Sequence, residues 1–305
     1  MPRLVAIFIT HTPERIARAV MSMAAQNQPP DEIVVSCDAD IPAIRSEVRG
    51  AAARIGQPVL LVSRPHTGQA RPAQARNNAV RAVERHRGLH DDDRIVFFDG
   101  DCLAPPDTLR VHRDALAHAH LSLGWRIALT ESQSSTLSDD QILRGSIATL
   151  PDAGQLEELR RAARSHRRRA VLRMLSLAKP HKPQVLGCNF GIRAWVYRAV
   201  NGMDETYTGW GMEDDDLGRR IYALGALVAL RLRDCPVLHQ FHPTRSSGPW
   251  IDNPHARRID MPCPTVCQCG LRTPAPQPEP RIILLRPGDG VSAGSTPQSP
   301  AARVG

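Results

Sequence analysis

With 305 residues, 42% of them apolar, the chain can bury a full core and is long enough for one large domain or two smaller ones. No apolar run approaches the ~20 residues needed to cross a bilayer, and the opening MPRLVAIFIT is interrupted too early for a secretory signal, so the expected location is the cytoplasm. The formal net charge of +8 is concentrated in residues 157–182, which carry nine Lys/Arg against two Glu, so whole-chain basicity is no argument for nucleic acid.

In chain order, RLVAIFIT (3–10) reads as a first strand and PERIARAVMSMAAQ (13–26) as a helix, with Pro13 suited to its first turn. EIVVSCD (32–38) and PVLLVS (58–63) are further strands, AQARNNAVRAVERH (73–86) a helix, and RIVFFDGD (94–101) a fourth strand. WRIALT (125–130) is a fifth. Short buried strands separated by helices predict an α/β fold with a doubly wound, mostly parallel sheet, which binds ligands beyond the carboxyl ends of its strands. A helical, basic stretch fills 131–184. VLGCNFGI (185–192) is then a strand, AWVYRAVNG a short helix, Asp214–Leu224 another helix, and ALVALRL (226–232) a last strand leading to CPVLHQFH. The expected division is 1–130, 131–184, 185–243 and a tail of 244–305. From Pro243 onward the chain holds 12 of its 26 prolines, and IILL (282–285) is the only apolar run late in it, so the tail is expected to be largely irregular.

Asp38, Asp99 and Asp101 all fall at strand ends. Asp99 and Asp101 form a D-x-D pair that can turn two carboxylates toward one hard cation, Mg²⁺ or Mn²⁺, although Asp-Gly is also an ordinary turn. His239 and His242 follow an apolar strand and are candidate ligands. Arg76 opens a helix, where a guanidinium suits a diphosphate. In YTGWGMEDDDLGRRI four carboxylates stand in a row. They suit either the positive end of a helix dipole or a catalytic acid beside a binding aromatic. Asp215 and Asp216 have Arg219 and Arg220 four residues on, pairs worth ~0.3 kcal/mol each.

Together THTPERI, VVSCDAD, QARNNAV and FFDGDC, followed by GCNFGIRAWVYRAVNGMDETYTGWGMEDDDLGRRI, resemble the family-2-type glycosyltransferases of the GT-A fold. The second block is similar to the galactosyltransferase-type C-terminal region of β-1,4-galactosyltransferases, chondroitin polymerase and polypeptide N-acetylgalactosaminyltransferases. The resemblance covers residues 3–243 apart from the insert. It implies an inverting, metal-dependent transfer of a sugar from a UDP donor to a hydroxyl of a glycan or lipid-linked glycan, in surface polysaccharide synthesis. It further implies that Thr10 and Asp38 line the uridine site, that Arg76 faces the diphosphate or Asp99, and that Asp99, Asp101 and His239 bind Mn²⁺ or Mg²⁺. Trp210 would stack on the acceptor sugar, Glu213 and Asp215 would bind its hydroxyls, and Asp214 would be the general base. Three positions depart from the family pattern. Met212 stands where a second glycine is common, which implies a narrower acceptor pocket, Ala79 replaces a glycine, and SCDAD replaces DDGS.

Residues 157–182 have apolar residues at helical spacing among arginines, the pattern of either a solvated helix or one lying on the anionic inner membrane. Two rival functions have less support. A sugar-phosphate nucleotidyltransferase usually opens with a Gly-rich phosphate loop, which THTPERI is not. A non-catalytic module binding anionic lipid would use the arginines alone, and nucleic acid is disfavoured because aromatic residues for base stacking are scarce around them. Among the seven cysteines, Cys263, Cys267 and Cys269 form a C-x3-C-x-C run with weak zinc-site character.

Overall fold

A computed structural model of the chain describes residues 2–179, 181–209, 211–243, 258 and 261–289. Strand β1 (Leu4–Thr10) shows why the first apolar runs read as strands. Leu4, Ala6 and Phe8 enter one core with helices α1 (Ile16–Met21) and α2 (Pro42–Ile55), while Val5 and Ile7 enter a second core with α3 (Pro72–Arg87). Both faces are covered, so the strand is apolar throughout rather than alternating. Fully burying a side chain the size of Phe8 contributes about 1.5–3 kcal/mol. Phe8 also stacks on Phe98, with ring centroids 5.2 Å apart.

Strands β2 (Glu32–Cys37), β3 (Val59–Ser63) and β4 (Arg94–Asp99) run parallel to β1, in the order β3-β2-β1-β4. Beyond a two-residue strand β5 (Cys102–Leu103) and helix α4 (Thr108–His118) comes β6 (Leu121–Leu123). The main sheet continues from β4 through an antiparallel β8 (Asn189–Arg193) to β6 and then β9 (Val228–Leu230). WRIALT does not join it: β7 (Trp125–Ala128) belongs to a second sheet, β5-β10-β7, with β10 (Pro236–His239) in the middle. Helix α1 is shorter than its apolar spacing predicts and begins at Ile16, three residues after Pro13.

The insert forms short helices α5 (Glu131–Thr136) and α6 (Asp139–Leu143), then the long α7 (Ala153–Met174). Each has a capping box in which a Thr, Ser or Asp exchanges hydrogen bonds with a Gln three residues on. Helices α8 (Ala194–Ala199) and α9 (Glu213–Ala223) close the second core. Segment 261–289 is mostly irregular, but it is anchored. Residues Arg281–Leu285 form β11, antiparallel to β3 at the sheet edge. Glu205, fully buried, accepts from Arg81 at 2.7 Å, Asn77 at 2.9 Å and the N–H of Ala275 at 2.9 Å.

A polar hub joins the two sheets. His112 is buried, with Nε2 2.9 Å from Asn189 Oδ1 and Nδ1 3.0 Å from the Ser122 hydroxyl. The Asn189 oxygen can only accept, so Nε2 carries the proton and Ser122 donates to Nδ1. Burial holds His112 down at about 4, so it stays neutral. The Asn189 amide donates to the carbonyls of Trp125 and Cys235, fixing the second sheet against the first.

Candidate active site

After β4 the chain turns through Asp99-Gly100-Asp101. The Gly100 N–H donates to the Ile9 carbonyl at 2.7 Å, and a Cβ at position 100 would stand 2.8 Å from that of Thr10. Glycine therefore allows the turn to lie against the end of β1. The two carboxylates point to different partners. Asp99 accepts from Arg76 Nη2 at 2.8 Å, and Asp101 Oδ2 lies 3.3 Å from the Nε2 of both His239 and His242. Strand pairing explains the latter: His239 stands opposite Cys102 in the β10–β5 pair, one residue from Asp101.

The ligand atoms of Asp101, His239 and His242 all lie within 4.8 Å of one another, the only such trio among the described residues. Asp99, expected as a ligand, is outside it, and His242 joins it. One carboxylate and two imidazoles are a poor match for Mg²⁺, which prefers an all-oxygen shell, and suit a divalent ion that accepts nitrogen ligands. Hydrogen bonding from His239 holds Asp101 below the usual carboxylate range despite its burial. Asp99 is raised by its enclosure in the protein, and Arg76 only partly offsets this. Cys263, Cys267 and Cys269 form no metal cluster among the described residues, and Cys267 Sγ instead points at the Asn201 carbonyl at 3.5 Å.

Arg76 is the junction of the site. It is buried, pairs with Asp99 on one side, and reaches Glu213 at 3.4 Å on the other. Burial alone would disfavour its charge, but Asp99, Glu213 and Asp214 outweigh that and hold it firmly protonated.

The acidic run begins α9. Met212, just before it, has a left-handed φ of +77°, and Gly211 one of +92°. That backbone conformation is the physical reason for glycine at position 212, and this chain places a buried methionine there under strain. Asp214 accepts from the N–H of Gly187 at 3.1 Å and from the N–H of Asp215, in the first turn of its own helix, at 2.8 Å. Glu213 Oε2 and Asp215 Oδ1 are buried without a hydrogen-bond partner in the structure. The second Asp215 oxygen accepts from Gln184 at 3.3 Å, and Lys182 Nζ stands 4.0 Å from the free one. Burial and the neighbouring Asp214 push both Glu213 and Asp215 up to about 7. Asp214 is raised by burial, less so because the Gly187 N–H favours its charged form. The Asp216–Arg220 pair forms at 2.8 Å as expected. The Asp215–Arg219 pair does not, because Arg219 donates to the carbonyls of Arg258 and Met261.

At the ends of β1–β3 a cavity of about 680 Å³ is lined by His11, Thr12, Glu14, Ala39, Asp40 and His66, among others. Thr10 and Asp38 sit behind it. The Thr10 hydroxyl donates to the Thr12 carbonyl at 2.8 Å, and Asp38 accepts from Arg64 and from the Arg71 N–H at 2.6 Å. Both Asp38 oxygens are thus engaged, and a contact with a base would require giving one up. Trp210 lies outside the described residues. Arg64, Gly187 and Lys182 adjoin Asp38, Asp214 and Asp215 and were not selected by any motif, whereas His242, a candidate ligand in the sequence, joins Asp101 and His239 although the resemblance left it out of the metal set.

Residues 5–150 match the model of glycosyl transferase family 2, and residues 172–236 match the model described as the N-terminal domain of galactosyltransferase. Comparison with curated proteins gives no match. Among solved structures, Staphylococcus aureus TarS 1–349 in complex with UDP-GlcNAc is 14% identical with TM-score 0.51, over 84% of this chain and 64% of that one. The chain therefore spans less than two thirds of that structure. GalNAc-T7 with UDP, GalNAc and Mn²⁺ is 12% identical with TM-score 0.51, over 82% of this chain and 45% of that one. The catalytic domain of Drosophila β1,4-galactosyltransferase 7 in complex with xylobiose is 14% identical with TM-score 0.50, over 90% and 84%. These likenesses agree with the doubly wound sheet in assigning the GT-A fold. The chain therefore carries a glycosyl transferase family 2 region over residues 5–150 and a galactosyltransferase-type region over residues 172–236, on a GT-A fold.

Proposed function

We propose that the chain transfers a sugar, with inversion, from a UDP donor to a hydroxyl of a glycan or lipid-linked glycan acceptor, in the building of a surface polysaccharide. The observation that carries this reading is the Arg76 bridge, which ties Asp99 on the donor strand to Glu213 on the acidic helix. It brings the turn after β4 and the first turn of α9 to one guanidinium, which supports a reading with metal-binding residues on one side of a donor sugar and acid–base residues on the other.

The cavity beyond β1–β3 has room for a nucleoside, with Thr10 and Asp38 supporting its wall. Asp101, His239 and His242 would hold a divalent cation, which when bound would supply positive charge against the leaving diphosphate. Mn²⁺ and UDP together in the GalNAc-T7 structure support that choice. Arg76 adds a fixed positive charge on the same side. Asp214 takes the proton of the attacking hydroxyl, its raised pKa bringing it toward the working pH of a general base. The unpartnered oxygens of Glu213 and Asp215 accept hydrogen bonds from neighbouring acceptor hydroxyls, and Trp210 stacks on the sugar face. Attack from the Asp214 side with departure toward the metal side inverts the anomeric centre.

The test is UDP release from a panel of UDP-sugars with Mn²⁺, with wild type beside Asp101→Ala and Asp214→Asn. Slow hydrolysis of one donor, lost at Asp101→Ala, identifies the sugar. No release from any donor, with no metal-dependent UDP binding by calorimetry, overturns the reading.

A further inference from the structure

Helix α7 packs inward through Leu159 and His166, the latter edge-on to Trp125 with ring centroids 4.7 Å apart. Among the described residues, nothing covers its other face. Arg160, Arg161, Arg164, Arg167, Arg168, Val171, Met174 and Leu175 are all exposed, and at 100° per residue they fall within about 140° of the helix circumference. The stripe is graded along its length, with arginines first and then an apolar tip. Met174 is 82% exposed and Leu177, just past the helix end, 71%. Glu157 pairs with Arg160 and Arg164, but Arg161, Arg167 and Arg168 have no ion pair among the described residues. The solvent-facing Val171, Met174, Leu175 and Leu177 are poorly suited to water, and the guanidinium groups beside them are free to meet an anionic surface. They are well suited to the boundary of an anionic bilayer, where charge meets phosphate and the apolar tip enters the acyl region.

The tip has a fixed relation to the acidic site. Arg173 lies 4.0 Å over the ring of Tyr222 on α9, and Lys182, a few residues on, faces Asp215. We infer that α7 docks the chain on an anionic lipid surface through this stripe, while Arg173, on the inward face of the helix, ties it to α9. The docking stands on the stripe alone, and only its meaning for the acceptor rests on the proposed transfer reaction. Docking would then hold the chain at the same surface as an acceptor carried on a lipid.

Flotation of the full chain with vesicles of equal phosphatidylglycerol and phosphatidylcholine, against phosphatidylcholine alone, tests this without any donor sugar. The expected result is flotation with the anionic vesicles only. The triple change Arg161→Glu, Arg167→Glu and Arg168→Glu weakens it at least about tenfold. Met174→Ser with Leu177→Ser leaves a residual binding that salt removes. No flotation of the wild type, or equal flotation with both vesicles, overturns the inference. So does equally tight heparin binding by wild type and the Met174/Leu177 variant together with unchanged flotation of that variant, because the stripe would then be a site for polyanions in general. UDP release is read separately without vesicles, so either result can fail while the other stands.

Discussion

Gly187 makes room for Arg76. A Cβ at position 187 would stand 2.5 Å from the Arg76 Nη2 that donates to Asp99, while the Gly187 N–H itself holds Asp214. Gly187→Ala is therefore expected to displace the guanidinium and shift the acid–base residue together. Since misplacement near 1 Å costs about 100-fold in rate, UDP release should fall by ten- to a hundredfold, with only a few degrees lost in Tm. Full activity in this variant would show that Arg76 is a structural ion pair only.

Mn²⁺ should raise Tm, because a ligand held only by the folded state at a hundred times its Kd contributes about 2.7 kcal/mol. Thermal scans with and without the metal should show that shift in the wild type. They should show none for Asp101→Ala and a diminished one for His242→Ala, whose imidazole stands 3.3 Å from Asp101.

Asp215 should leave a signature in stability against pH. Its carboxyl titrates at about 7 when folded, against an ordinary value near 4. Between those values the folded chain binds the extra proton, so this group's contribution is complete below about pH 4 and is lost as pH rises through about 7. The Tm difference between Asp215→Asn and wild type, taken without metal or donor, should therefore grow in favour of the variant from pH 5 to pH 8. A flat difference would mean that Lys182 compensates the charge fully.

Glu205→Ala should remove about 3–5 kcal/mol, as expected when a buried ion pair loses one partner and leaves Arg81 uncompensated. It should also free Ala275, so limited proteolysis would cut within 262–280 before the rest of the chain unfolds. Urea unfolding checks the first effect and mass spectrometry of early fragments the second.

How much of this was legible in the sequence follows from length scale. Strands β1–β4 are buried on both faces, so their apolar runs are visible without any tertiary knowledge. The same holds for the D-x-D turn and the acidic helix. Strands β5 and β6 have two and three residues and are too short to show a period. The register that sets His239 opposite Cys102 exists only once the second sheet forms, so the sequence could offer His239 and His242 as candidate ligands but could not show that both meet Asp101. The expected Asp215–Arg219 pair failed for a similar reason. Local spacing allowed it, but carbonyls from the far tail captured the arginine.

The place of β11 has a practical outcome. Residues Arg281–Leu285 cap the backbone edge of β3, whose Val59–Val62 run is wholly apolar. The second family-model match ends at residue 236, and a chain shortened just beyond the second sheet, at Pro243, would bare that edge, presenting unpaired N–H and carbonyl groups on a hydrophobic strand. Such a fragment would keep every metal-binding and acid–base residue, yet molecules of it would add to one another strand by strand and precipitate. The proline-rich tail thus keeps the sheet soluble, and material for study should extend at least to Asp289.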